Sequence, residues 1–287
     1  MSHAHWHGPF RRRPEVRRPR TDIRSGLAKT MTAILGAGVL LVGTTILAPA
    51  TVPAALAAAP AAAKTDAGYV HTCAVLANHT VNCWGQNNNG ELGDGTTVVR
   101  LTPVVVSGIT TAVAVSAGYD HTCALLSSGA VRCWGANNVG QLGDGTATRR
   151  LKPVAVSGIT TATAVSAGYD HTCALLKSGG VRCWGGNTAG QLGDGTKTHR
   201  LKPVAVHGIT TAIMVSAGDL HTCAVLTTGS VACWGANSLG QLGDGSGVTQ
   251  PTPVMASGIT TATAVSAGYD DTCALLANHT VACWGRN

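Results

Sequence analysis

Apolar and polar residues alternate in short runs along most of the chain, and turn-forming Gly, Asn and Asp separate the runs. Between residues 103 and 134, four such runs follow one another, with the sequences PVVVSG, TAVAVSAG, HTCALL and AVRCWG. Alternation with a period of two is typical of β-strands that bury one face. No segment after residue 64 shows the apolar period of about 3.6 residues that marks an amphipathic helix, so the pattern predicts an all-β fold.

The same runs return every fifty residues without a gap. A fixed period of about 20 to 50 residues is typical of repeat arrays, and four short strands per period predict one blade of a β-propeller. The ring is expected to be incomplete or open, because the reading frame is truncated or because another chain, such as a second copy, completes it. We expect four full blades at 103–134, 153–184, 203–234 and 253–284, and a half blade at 69–84.

All ten cysteines lie in the last two strands of each repeat, ten residues apart. In the second repeat, the three-residue loop Ser127–Gly129 places Cys123 opposite Cys133 at a non-hydrogen-bonded position, with Cα atoms about 4.5 Å apart. This spacing favours a disulfide over a zinc site, whose paired ligands are typically about two to four residues apart. The predicted disulfides are Cys73–Cys83, Cys123–Cys133, Cys173–Cys183, Cys223–Cys233 and Cys273–Cys283.

The other repeated polar and aromatic residues are interpreted as parts of the fold. We expect Trp134 and its equivalents to pack between adjacent blades rather than to stack on a glycan. Ser116, Asp120 and His121 have the composition of a hydrolase triad, but they recur with the fold, so His121 is expected to hydrogen-bond a neighbouring blade. Asp144 is interpreted as a turn residue rather than a calcium ligand, because no second acid lies nearby. We therefore predict no catalytic residue, no metal site and no cofactor.

The net charge of +7 belongs almost entirely to the start of the chain. Residues 1–63 carry eight Lys and Arg against two acidic side chains, whereas residues 64–287 carry twelve against eleven. A repeat region that is nearly neutral overall gives no reason to expect nucleic acid as a partner.

The first 63 residues have the composition of a signal peptide. A long basic region precedes the uncharged apolar segment 31–48, and Ala55-Leu56-Ala57 is the best match to a cleavage site. We predict residues 1–63 to be a signal peptide and the protein to be secreted or held at the cell surface, with no membrane span after cleavage. An uncleaved N-terminal anchor is the alternative, since eighteen apolar residues approach the length of a spanning helix.

Several linked motifs make residues 67–287 resemble the regulator of chromosome condensation repeat family, including its secreted bacterial members. The motifs are A-G-x-x-H-T at 117–122, C-W-G at 133–135 and G-Q-L-G at 140–143. The resemblance implies a β-propeller, usually of seven blades. The family also includes secreted members that inhibit an enzyme through loops on one face of the propeller, so the resemblance implies that this chain could bind a target in the same way. Nuclear members catalyse nucleotide exchange on a small GTPase, but no exchange residues are carried over to this chain.

The strands are nearly identical between repeats, whereas the connections after the Gly-Asp-Gly turns differ. Because recognition in repeat proteins is normally carried by the variable positions, we predict a non-catalytic scaffold that binds a protein or an acidic cell-surface polymer through propeller-face loops. A secreted hydrolase with a loop-borne site and an enzyme inhibitor are the alternatives. The candidate binding residues are the cations of these connections: Arg100, Arg149, Arg150, Lys152, Lys197, His199, Arg200 and Lys202.

Overall fold

The computed structural model describes residues 62–287, which fold into nineteen β-strands. No helix occurs in this part of the chain, and therefore none that is long and apolar enough to cross a membrane. The strands are β1 (Ala62–Ala67), β2 (His71–Leu76), β3 (Val81–Gly85), β4 (Arg100–Val105), β5 (Ala112–Ala117), β6 (His121–Leu126), β7 (Val131–Gly135), β8 (Arg150–Ala155), β9 (Ala162–Ala167), β10 (His171–Leu176), β11 (Val181–Gly185), β12 (Arg200–Ala205), β13 (Ala212–Ala217), β14 (His221–Leu226), β15 (Val231–Gly235), β16 (Gln250–Met255), β17 (Ala262–Ala267), β18 (Asp271–Leu276) and β19 (Val281–Gly285).

The strands form five antiparallel sheets, one for each repeat. Strands β1 to β4, β5 to β8, β9 to β12 and β13 to β16 make four-stranded sheets in sequential order, and β17 to β19 make a three-stranded sheet. The first strands of consecutive sheets contact one another, as β1 contacts β5 and β5 contacts β9, so they form the inner edge of the array. Within residues 62–287 the blades make an open arc, which confirms the predicted all-β propeller fold with an open ring.

The predicted blade boundaries, 103–134 and its equivalents, are wrong by one strand. The run at the start of that range belongs to β4, which pairs with β3 of the preceding blade and places Arg100 opposite Gly85. The reason is the long connection 86–99, which reverses the chain direction so that β4 extends the sheet it has just left. The hairpin at 69–84 is therefore not a half blade, because β1 and β4 complete it, and the three-stranded sheet is the last one.

The predicted signal peptide, residues 1–63 with its apolar segment 31–48, lies outside the described residues except at its very end. Ala62 and Ala63 belong to β1, where Ala62 pairs with Leu76 of β2. The first blade therefore begins within the last two residues assigned to the leader.

The central hairpin of each blade has the predicted register and turn. Cys123 lies opposite Cys133, and Gly129 adopts a left-handed φ of 82° at the end of the loop. In the first and last blades, His79 and His279 take the same place with φ values of 62° and 65°. All five predicted disulfides are present, with Cα–Cα distances of 4.0 to 4.1 Å. No free cysteine occurs between residues 62 and 287.

The hydrophobic core lies between the blades rather than inside any one of them. Val131 of the second blade and Leu142 of its connection pack against Trp184 of the third blade, whose side chain is fully buried. The indole nitrogen of Trp184 donates a hydrogen bond to the carbonyl of Gln141 at 3.0 Å. A Cβ at Gly143 would lie within 2.8 Å of the indole, so glycine is required there for the blades to close. Trp134 and Trp234 are buried in the equivalent clusters, which confirms that these repeated tryptophans pack between blades, whereas Trp84 of the first blade is only partly buried.

Candidate binding face

The blades expose different connections at the two ends of their strands. The turn after each inner strand and the long connection after each third strand lie at the same end. In the second blade, the amide of Ala136, the first residue of the connection, donates to the carbonyl of Asp120, the last residue of the turn, at 2.8 Å. We call this end the loop face and the opposite end, which carries the hairpin turns such as Ser127–Gly129, the hairpin face. The loop face comprises the turns 68–70, 118–120, 168–170, 218–220 and 268–270 and the connections 86–99, 136–149, 186–199 and 236–249.

Each long connection is folded around one asparagine and one aspartate. Asn137 accepts a hydrogen bond from the amide of Leu142 at 2.9 Å and donates to Asp144 at 3.2 Å. Asp144 accepts hydrogen bonds from Thr146 and forms an ion pair of 2.8 Å with Arg150. Burial opposes ionisation of Asp144, but the hydrogen bonds from Thr146 and Arg150 outweigh it and lower the pKa of this carboxyl group. The Gly-Asp-Gly aspartates therefore stabilise turns, as the sequence predicted.

The structure divides the eight candidate cations into two groups. Arg100, Arg150 and Arg200 form ion pairs of 2.7 to 2.8 Å with the aspartates of their own connections. These three charges are neutralised inside the loop structure, so the cationic surface is smaller than the eight residues suggest. The remaining cations are exposed on or beside the loop face: Arg149, Lys152, Lys197, His199 and Lys202.

Arg149 and His199 also make local contacts that limit the hydrogen bonds they can offer a ligand. Arg149 donates to the carbonyl of Asn88 in the preceding blade at 3.2 Å. His199 accepts a hydrogen bond from the amide of Asn187 at 3.0 Å. Their exposed edges remain available, but these side chains are partly held by the fold.

The repeated histidines are used between blades. His121 Nε2 lies 2.8 Å from Thr172 Oγ1 of the next blade, and Thr172 donates its own hydrogen to the carbonyl of Gln141 at 2.9 Å. Thr172 must therefore accept from His121, which fixes the proton on Nε2. Burial, followed by the effect of neighbouring His71, lowers the pKa of His121 to about 3, so His121 is neutral near pH 7. Equivalent contacts at 2.7 to 2.9 Å are made by His71, His171 and His221.

The residues that resemble a hydrolase triad in composition have separate partners. Ser116 accepts a hydrogen bond from the amide of Ala167 on the next inner strand at 3.1 Å. His121 is engaged by Thr172, and Asp120 lies on the loop face beyond either contact. The fold thus uses the serine and the histidine as links between blades. No group of three or more His, Cys, Asp or Glu residues in the described part of the chain could hold a metal ion.

Aromatic residues form a row along the inner end of the loop face. The ring centroids of Tyr69 and Tyr119 are 4.4 Å apart, and those of Tyr119 and Tyr169 are 4.2 Å apart. In the fourth blade Asp219 occupies the tyrosine position, and Tyr269 resumes the row in the fifth. We call Tyr69, Tyr119, Tyr169, Asp219 and Tyr269 the inner row. They line a groove of about 500 Å³ whose floor is formed by small Ala and Gly residues.

Acidic side chains accompany the inner row. Asp120 and Asp170 line a second, smaller cavity of about 180 Å³ together with Tyr119 and Tyr169. Burial raises the pKa values of Asp120 and Asp170. Burial, followed by the negative charges of Asp170 and Asp270, raises the pKa of Asp219 to about 6. The inner half of the loop face is thus aromatic and acidic, whereas the exposed cations lie along its outer half.

The inner row was not among the candidate binding residues named from the sequence. The Gly-Tyr pairs keep step with the fifty-residue repeat, and Tyr119 and Tyr169 are only a second choice for function if the cations of the connections do not bind. One feature of the sequence could have indicated this site: Asp219 occupies a position where the four other repeats have tyrosine.

Antiparallel sheets packed side by side around inner strands place the described residues in the β-propeller class. One model of the Regulator of chromosome condensation (RCC1) repeat matches residues 78–125, 128–175, 178–225 and 228–275. A second model of this repeat matches residues 63–91, 112–141, 162–191 and 214–241. The chain belongs to the RCC1 repeat family, as its motifs suggested. No curated protein sequence matches it.

Solved structures, two of them of yeast RCC1 (Prp20), share the fold at low sequence identity. Human WBSCR16 is 22% identical with a TM-score of 0.70, over 78% of this chain and 61% of that one. Prp20p from Saccharomyces cerevisiae is 24% identical with a TM-score of 0.68, over 78% and 57% of the two chains. Yeast RCC1 (Prp20) bound to Kap60 gives 24% identity and a TM-score of 0.65, over 75% and 54%. The chain thus spans about three fifths of the length of these structures, and the likeness shows the fold alone.

Proposed function

We propose that this protein is an exported, non-catalytic scaffold that binds another protein through its loop face. The observation that carries this proposal is that each repeat contains two kinds of residue, some that join adjacent blades and others that are exposed. The recurring His, Thr, Ser and Trp side chains are engaged between blades, whereas the long connections of the loop face differ between repeats and present exposed side chains. The hairpin turns of the opposite face also vary, but each is only a three-residue loop. Variable residues presented on a rigid repeat framework are the usual basis of recognition in repeat proteins.

Two further observations support the proposal. A yeast member of the family has been solved in complex with Kap60, so at least one protein with this repeat binds another protein. Five disulfides in the described residues suit an oxidising compartment, which agrees with the signal-like composition of residues 1–63. N-terminal sequencing of the mature protein tests export: a start close to residue 58 supports it, and an intact leader in the membrane fraction would instead indicate an anchor.

Site-specific photo-crosslinking tests the binding face. A photo-reactive amino acid is placed at Val98 or Leu239, which are exposed in two connections of the loop face. Matched control positions are Ser178 and Thr227, which are exposed in the hairpin turns of the opposite face. Incubation with the secreted and surface proteins of the source cells should give one discrete crosslinked partner from the loop-face positions. Crosslinks from the hairpin positions alone would contradict the proposal.

Binding of an acidic surface polymer is a second candidate, favoured by the exposed cations at the outer half of the loop face. Replacing Arg149, Lys197 and Lys202 by Glu should abolish salt-dependent binding to polyglutamate while the thermal midpoint changes little, because solvated charges contribute little to folding. Arg150 and Arg200 are left unchanged in this variant, since their loss would break the ion pairs that hold the connections. Undiminished polymer binding by the triple variant would exclude this candidate.

A further inference from the structure

The inner row is exposed without being required by the blade fold. Tyr69 and Tyr269 have 72% and 64% of their surface exposed, and Tyr169 has 40% exposed. The fourth blade has Asp219 at this position and still forms a complete four-stranded sheet, so no tyrosine is needed there for folding. A row of exposed aromatic rings above a groove of about 500 Å³ is a surface suited to a ligand rather than to the core.

The charges around Asp219 indicate which ligand the groove would accept. Asp219 lines the groove, and Asp170 and Asp270 of the neighbouring blades lie close enough to oppose its ionisation, so this part of the loop face is acidic. Asp219 forms no ion pair with any residue between 62 and 287, whereas Asp270 is paired with Arg286 at 3.6 Å. His199 also lies near Asp170. The site therefore retains a net negative charge that a cationic group would neutralise.

The aromatic rings narrow the choice of cation. Tyr169 and Tyr269 flank Asp219 in the row, so a cation bound to the carboxylate would lie beside two aromatic rings. A planar guanidinium stacks on an aromatic ring and pairs with a carboxylate through two parallel hydrogen bonds, which an ammonium cannot do. Arginine thus fits this combination of groups better than lysine does.

We propose that the groove along the inner row binds a basic segment of a partner protein, and that Asp219 receives an arginine side chain between Tyr169 and Tyr269. This inference rests on the proposed function, because it names the chemistry of the partner that the loop face recognises. The outer cations would then face acidic residues that flank the basic segment, so the charge pattern of the face would set the orientation of the partner.

Titration with short peptides tests the inference directly. The probes are an acetylated, amidated tetra-arginine peptide and the matching tetra-citrulline peptide, which has nearly the same shape without the charge. The arginine peptide should bind at low salt, the citrulline peptide at least about tenfold more weakly, and a lysine peptide between the two. Binding should also weaken when the pH falls from 7.5 to 5, because Asp219, with a pKa of about 6, then becomes protonated beside the carboxyl groups of Asp170 and Asp270.

Variants separate the groove from the overall charge. Asp219→Asn should weaken binding of the arginine peptide about tenfold or more, as expected for loss of a charged hydrogen-bonding partner. Thr227→Lys, in a hairpin turn of the opposite face, changes the net charge by the same amount and should leave the affinity within about twofold. Asp219→Tyr introduces the residue of the other repeats and removes the same negative charge, so it should also weaken binding of the arginine peptide.

The outcomes also distinguish this inference from the proposed function. Equal binding of the arginine and citrulline peptides, or unchanged affinity in both Asp219 variants, would overturn the arginine site. If loop-face crosslinking still captures a discrete partner, the proposed function survives without it. If crosslinking fails as well, both proposals are wrong.

Discussion

Acidification should weaken the interface between blades through the buried histidines. The folded protein holds His121 neutral, with its pKa lowered from 6.5 to about 3, whereas an unfolded chain would protonate it normally. Because the folded-state pKa is depressed, the contribution of His121 to stability is fully present above pH 6.5 and is lost as the pH falls toward 3.

The size of the effect follows from the difference between the two states. A pH of 5 lies about 1.5 units below the pKa of a histidine in the unfolded chain. Proton binding therefore favours the unfolded state, and the folded protein loses about 2 kcal/mol of stability relative to pH 7.5. The folded protein takes up almost no proton at His121 at pH 5, because this pH lies well above the folded-state pKa of about 3, so the magnitude is set by the unfolded-state pKa. His71, His171 and His221 are buried in the same way and add to the total.

Carboxyl groups also change the pH dependence and must be separated from the histidines. The turn aspartates such as Asp144, whose pKa values are lowered, act in the same direction as the histidines, whereas carboxyl groups with raised pKa values act in the opposite direction. Raised pKa values at Glu91, Asp120, Asp170 and Asp219 favour proton uptake by the folded state and so offset part of the loss on acidification. The His121→Gln variant removes this ambiguity, since it keeps an amide N–H near Thr172 and leaves every carboxyl group in place. The difference between the parent and this variant isolates the histidine.

Urea unfolding of the oxidised protein at pH 7.5 and pH 5, followed by tryptophan fluorescence, provides the measurement. The parent should lose about 2 kcal/mol more than His121→Gln over this pH range. A His207→Gln variant is the control, because His207 is exposed and should leave the pH dependence of the parent unchanged. Parallel pH profiles for the parent and His121→Gln would refute the proposed neutral, buried histidine contact.

Two further predictions concern stability. Glu91 is fully buried at a position where the next three repeats have glutamine, and burial raises its pKa. Glu91→Gln should therefore stabilise the protein by about 0.5 to 2 kcal/mol at pH 7.5 and by less at pH 4, as measured by urea unfolding. Trp184→Phe removes a buried indole and its hydrogen bond to Gln141 and should cost about 2 kcal/mol, whereas Trp84→Phe at a partly exposed position should cost under about 1 kcal/mol in the same assay. Equal losses in the two tryptophan variants would contradict the packing described above.

The strand pattern and the turn chemistry were readable from the sequence because they depend on local features. The three-residue loop ending in Gly129 determined the hairpin register, and that register placed Cys123 opposite Cys133. The assignment of β4 failed because alternation identifies a strand but not the sheet that it joins. That choice depends on the connection 86–99, where side chains such as Asp94 and Arg100 fold the chain back on itself.

The candidate site was harder to predict, because its members come from different repeats. The sequence showed the cations of the connections, but it could not show that Arg150 would be neutralised by Asp144. It also showed Asp219 and Tyr169 as separate residues fifty positions apart. Only the arrangement of the blades brings such positions together along one groove.

Hydroxyl-radical footprinting tests the central claim, that the loop face is the protein-binding surface, most directly. The protein is labelled alone and in the presence of the partner captured by crosslinking, and the oxidation of each side chain is measured by mass spectrometry. Tyr69 and Tyr269 are exposed on the loop face, and Met255 is comparably exposed at the hairpin end of β16, which provides an internal reference. We predict that the partner protects the two tyrosines and leaves Met255 unchanged. Protection of Met255 with undiminished oxidation of the tyrosines would contradict the account.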